Sequence, residues 1–102
     1  MNNDKIRIAI AESLGWVRHK SENKDFEFVW MRGNEYCFAL PNYPEDLNAC
    51  AEMRKSLSAD ELRAYGFHLM DILETEDLTR WIFDALPVQH CHAYLRTKKI
   101  SI

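Results

Sequence analysis

Near the end of the chain, His90, Cys91 and His92 stand side by side, and imidazole and thiolate are the side chains that bind soft metals. Their spacing argues against a site. On a helix, consecutive side chains point about 100° apart and cannot close on one ion, whereas zinc sites use spacings such as C-x2-C or H-x3-H. No metal site is therefore predicted. Cys91 reads as a core thiol with His90 and His92 on the helix surface beside it. Nucleophilic chemistry fares no better, because a reactive cysteine needs a thiolate, a base and an oxyanion site. Cys37 lies between Tyr36 and Phe38 in an apolar strand pattern, and Cys50 and Cys91 fall on apolar helix faces. There is no G-x-S-x-G, no H-E-x-x-H and no phosphate-cradling loop, and three glycines leave little room for one. Glu74, Glu76 and Asp77 read as a solvated acidic turn rather than an acid–base pair. Neither a catalytic residue nor a cofactor is predicted.

Binding chemistry has better candidates. Of the twelve aromatic residues, Phe26, Phe28, Trp30, Phe38, Phe67 and Phe83 are expected to build the core. Tyr43, held between Pro41 and Pro44, is the expected exposed aromatic, with Asn42, Asp46 and Asn48 beside it. These four form one candidate binding set, although the three polar residues also suit turn and cap geometry. Charge supplies a second set. Residues 45–84 carry ten acids against four bases, while the tail from residue 85 carries only Arg96, Lys98 and Lys99. An acidic middle and a basic tail suit a charged protein partner or head-to-tail self-association. As a nucleic-acid arm, three charges give only a weak, strongly salt-dependent contact. The net charge of −3 argues against general affinity for nucleic acid or anionic lipid.

The elements that must position these residues follow from periodicity. Residues 4–14 read as a helix with Ile6, Ala9, Ile10 and Leu14 on one face, ended by Gly15. Trp16 and Val17 read as a short extended piece, and Arg18 to Asp25 as a solvated loop. Phe26, Phe28 and Trp30 alternate with Glu27, Val29 and Met31, the period of a strand, and Gly33-Asn34 suits a two-residue hairpin turn. That turn sets Met31 opposite Tyr36 and Trp30 opposite Cys37, and leaves both faces of the hairpin apolar. Two apolar faces call for cover on both sides. Asp46 is placed to cap a helix carrying Leu47, Cys50, Met53, Arg54 and Leu57 near one face. Ser58 to Glu61 has the form of a capping box before a helix running to Leu73, with Leu62, Tyr65, Leu69, Ile72 and Leu73 as its stripe. Residues 79–85 alternate as a strand, with a helical turn as the alternative, and Pro87 opens a last helix with Val88, Cys91 and Leu95 inward. The expected fold is α+β, a single domain over residues 1–102. It is a layered α/β/α sandwich whose small sheet is built on a 26–40 hairpin and covered by helices on both faces.

A chain of 102 residues with 47% hydrophobic and 28% charged residues is long and apolar enough for one core. No run approaches the roughly 20 apolar residues of a membrane span, and the polar, acidic start lacks the pattern of a secretory signal. Three dispersed cysteines read as buried thiols in a reducing compartment, so the expected location is the cytoplasm.

Three stretches together resemble the phage ABA sandwich domain family, small proteins of phages and prophages. They are Leu14-Gly15-Trp16 at the end of the first helix, Pro41-Asn42-Tyr43 with Asp46-Leu47-Asn48-Ala49 leading into a helix, and Ala85, Gln89, Ala93, Tyr94, Leu95, Arg96 and Thr97 in the closing one. Relatives often continue with Gly and Trp where this chain has Lys98-Lys99-Ile100. The resemblance implies a sheet between helix layers, a phage or prophage origin and hence a host cytoplasm, and no activity. The combined expectation is a small non-catalytic protein acting through contacts with an unknown protein partner or with itself, without a membrane. A nucleic-acid accessory role through the basic tail is the alternative.

Overall fold

The computed structural model of the chain describes residues 3–76 and 85–101. Among these, four helices and three strands follow one another as α1 (Asn3–Ser13), β1 (Val17–Lys20), β2 (Phe28–Arg32), β3 (Glu35–Cys37), α2 (Leu47–Lys55), α3 (Ala59–Leu73) and α4 (Pro87–Thr97). The class is α+β. The strand expected at residues 79–85 lies outside the described residues except for Ala85.

Helix ends are set by local chemistry. The Asp46 carboxylate accepts the Asn48 amide at 2.9 Å and opens α2. Ser58 and Glu61 make the reciprocal capping box of α3, each accepting the other's backbone N–H at 3.2 and 3.0 Å. Pro87 takes the first position of α4, where no amide is needed, and the Gln89 side chain accepts the Leu86 amide at 2.8 Å. Three helices close with the same paired bonds, in which two amides past the end reach back to orphan carbonyls. Gly15, Glu74 and Lys99 take the left-handed residue of these motifs, at φ 95°, 55° and 58°. Glycine is at ease there; glutamate and lysine are strained by their Cβ.

The sheet is antiparallel in the order β1-β2-β3. The hairpin register is the expected one, Met31 opposite Tyr36 and Trp30 opposite Cys37, with Gly33 at φ 58° in the turn. Its pairing is shorter than residues 26–40, however, because β3 ends at Cys37 and Phe38 and Ala39 bend away. The loop expected from Arg18 also begins later. Val17 to Lys20 form β1 and pair with Met31 to Phe28. All four β1 residues are exposed, so the strand shows no apolar alternation and is held by its backbone bonds to β2.

The core lies mainly between helices. Ile6 and Ile10 of α1, Cys50 and Met53 of α2, Tyr65 and Leu69 of α3, and Cys91, Tyr94 and Leu95 of α4 are buried together with Trp16, Trp30, Leu40 and Tyr43. The most extensive packing is α3 on α4, with α2 and α1 also against α4. Leu47 and Leu62, expected on apolar stripes, are exposed, and Phe67, expected in the core, is exposed too. The helices thus spend their apolar faces on one another, which leaves the cover over the sheet incomplete. One face is closed at Trp30, beside Ile8 of α1; the other lies open along part of its length. The radius of gyration of 14.7 Å, against about 13 Å for a compact chain of this length, reflects the resulting elongation.

Candidate interaction surface

Directly opposed residues in an antiparallel sheet point to the same side. Val17 pairs with Met31 and Met31 with Tyr36, so these three form one row across all three strands. They are 56%, 40% and 68% exposed. The next row on that side, His19 opposite Val29, is exposed and half-buried. At the β3 edge, Phe38 lies edge-on to Tyr36 at 6.0 Å with Phe26 stacked on it at 4.5 Å, and Phe38 turns to the opposite side, where it lines a cavity with Phe28, Trp30 and Arg18. Phe26 and Phe28, expected to build the core, are exposed as well. Arg18 lies over the Phe28 ring at 4.5 Å on the opposite face and shields part of it. Contiguous apolar residues on a sheet face, laid out by strand register, make a flat surface suited to docking another protein.

The residues singled out by sequence fall elsewhere. Tyr43 is not an exposed aromatic: it is 1% exposed. The Pro41–Pro44 segment folds its ring inward, and burial raises its hydroxyl pKa to about 12, with the Glu52 charge adding to the rise. Asn42 serves the turn, its side chain donating to Glu45 Oε2 at 2.8 Å and its carbonyl accepting the amides of Glu45 and Asp46. Asp46 is occupied as a cap, and Asn48 is exposed at the start of α2. In the tail, Arg96 pairs with Asp71 at 3.4 Å and Lys98 with Glu61 at 2.8 Å. That bond holds the Glu61 carboxyl below its ordinary value and the Lys98 ammonium above. Two of the three tail cations are therefore already matched by acids of α3, and Lys99 is turned outward in its left-handed cap.

A cavity of about 460 Å³ opens where the C-terminal ends of α1, α2 and α4 meet, lined by Ser13, Trp16, Arg32, Tyr43, Lys55 and Lys98 among others. Three helix ends with partly negative carbonyls converge there, beside Lys55, the Glu61-paired Lys98 and the acid Glu52. Arg32 lies 4.5 Å over the Trp16 ring and also pairs with Glu35 at 3.2 Å.

The His90-Cys91-His92 run splits three ways. His90 is not on the surface but 2% exposed, bonded through Nδ1 to the Tyr65 hydroxyl, with the two rings stacked. The Arg54 charge lies close to this pair. Burial, helped by the Arg54 charge, lowers the His90 pKa to about 4. Cys91 turns instead toward Cys50, and the half-buried His92 is held below its ordinary value by burial and by Arg96. The signal that His90 is interior was present in the sequence: residues 87–95 contain no Lys, Arg, Asp or Glu, the mark of a helix surrounded by others.

Fold and surface together define a small α+β protein with a helical core and a partly uncovered three-stranded sheet. Among the described residues, no helix is long and apolar enough to cross a membrane. No family model, curated protein or solved structure matches the chain.

Proposed function

We propose that this chain is a non-catalytic cytoplasmic protein that acts through protein contacts, with the open face of its sheet as the contact surface. The carrying observation is the row Val17–Met31–Tyr36, exposed across the full width of the sheet. Apolar side chains in strand register are well suited to bury area against a flat partner, and the large, stiff Tyr36 has the character of an interface anchor. The inward-turned chemistry supports the same reading, since His90, Cys50 and Cys91 are engaged inside the helical core. A phage or prophage origin, implied by the resemblance of the three motifs, belongs to the proposal as well.

The test is quantitative affinity capture from cells in which the gene is native, comparing the wild-type chain with Met31→Glu and Asp60→Lys. Asp60 lies on the exposed side of α3, away from the row, and controls for charge change. Partners lost with Met31→Glu and kept with Asp60→Lys are the expected result. Equal recovery by all three chains contradicts the assignment of the surface.

A further inference from the structure

Two of the three cysteines, 41 positions apart in sequence, meet in the core. Cys50 on α2 and Cys91 on α4 are both free and buried. The surrounding geometry fixes this meeting. The Cys50 S–H donates to the Tyr43 carbonyl at 3.1 Å and lies 3.5 Å from the Pro87 carbonyl. Pro87 is one helical turn before Cys91, and a helical side chain leans toward the turn N-terminal to it. The Cys91 sulfur is thereby carried back over Pro87, onto Cys50.

We propose that Cys50 and Cys91 form a dithiol that a hydroperoxide converts to an intramolecular disulfide, locking α2 onto α4. Cys50 is the attacking sulfur. The neighbouring Cys91 and the Arg54 charge hold its thiol below the ordinary value, while Cys91 is held above. In the first step the Cys50 thiolate displaces hydroxide from the peroxide O–O bond and becomes a sulfenic acid. The Cys91 thiol then attacks that sulfur: the S–O bond breaks, the S–S bond forms and water leaves with the Cys91 proton. Two thiols are oxidised by two electrons and one hydroperoxide is reduced. The Cys50 proton, held toward the Tyr43 carbonyl in the resting thiol, leaves with the displaced hydroxide as water, and Tyr43 itself lines the cavity at the helix ends.

The 102-residue Cys37→Ser chain removes the half-buried third thiol and with it cross-linking between molecules. Treated while folded with hydrogen peroxide, it is expected to lose about 2 Da, with a single Cys50–Cys91 peptide on mapping. The cross-link closes a long loop, so the oxidised chain is expected to melt on the order of 10 °C higher than the reduced one. Cys37→Ser/Cys91→Ser is expected to stop at a sulfenic acid that a dimedone probe traps on Cys50. Retention of both thiols, or stable oxygen adducts without the mass loss, overturns the dithiol. A disulfide that leaves the melting temperature unchanged or lowers it overturns the lock. These readouts are independent of the sheet surface and its partner.

Discussion

His90 gives the sharpest test of how this core is held together. It is buried and neutral, and its pKa of about 4 lies well below the ordinary 6.5 that it regains on unfolding. The unfolded chain therefore binds a proton between these values and the folded chain does not. The contribution is fully present above pH 6.5, falls as pH drops, and is exhausted near pH 4. At about 1.4 kcal/mol per pH unit, the loss across the window is about 3 kcal/mol. That is a large part of the 5–15 kcal/mol or so available to a domain of this kind. The geometry adds a reason: His90 Nδ1 is bonded to the Tyr65 hydroxyl inside the core, and the nearby Arg54 charge opposes a further positive charge on the ring. Urea melts followed by tryptophan fluorescence, at half-unit steps from about pH 7.5 to 4, give stability against pH. Carboxylates and His92 also titrate in or near this range, so the measured quantity is the difference between wild type and His90→Asn, whose amide does not titrate. The variant is expected to be less stable at pH 7.5 and to lose about 3 kcal/mol less on acidification. Parallel pH curves for the two chains refute the buried neutral histidine.

The surface and the helix ends give further expectations. Met31→Glu changes an exposed position and should alter stability by less than about 1 kcal/mol in the same melts while abolishing partner capture. Asp46→Ala removes the cap of α2 and should cost about 1 kcal/mol, leaving partner capture intact if Asp46 is a cap rather than a contact. Glu74→Gly and Lys99→Gly relieve left-handed residues and should each stabilise by about 0.5–1 kcal/mol, read as a rise in melting temperature.

What could be read from sequence was what is decided locally. The Asp46 cap, the Ser58–Glu61 box, Gly15 and the Gly33 hairpin each depend on a few consecutive residues, and each lies where those residues place it. Strand β1 escaped because Val17-Arg18-His19-Lys20 is exposed throughout and carries no apolar period; only its register with β2 makes it a strand. Tyr43 and His90 escaped for the opposite reason. A tyrosine between two prolines is locally a turn residue, and its burial comes from distant elements that close over it. His90 lies off the narrow stripe expected for its helix, but α4 is packed against α1, α2 and α3, so the buried arc is far wider. The docking row was visible as an apolar hairpin face. That it stays open could not be read, because it depends on which helices are left to cover it.

The central claim is that the open sheet face is where this protein meets its partner. Its most direct test is a photo-crosslinking amino acid at position 36, with position 60 as the control, irradiated in cells that carry the native gene. Discrete adducts at position 36 that are absent at position 60 and lost on adding Met31→Glu are the predicted result. Adducts equally frequent at both positions, or unaffected by Met31→Glu, contradict it.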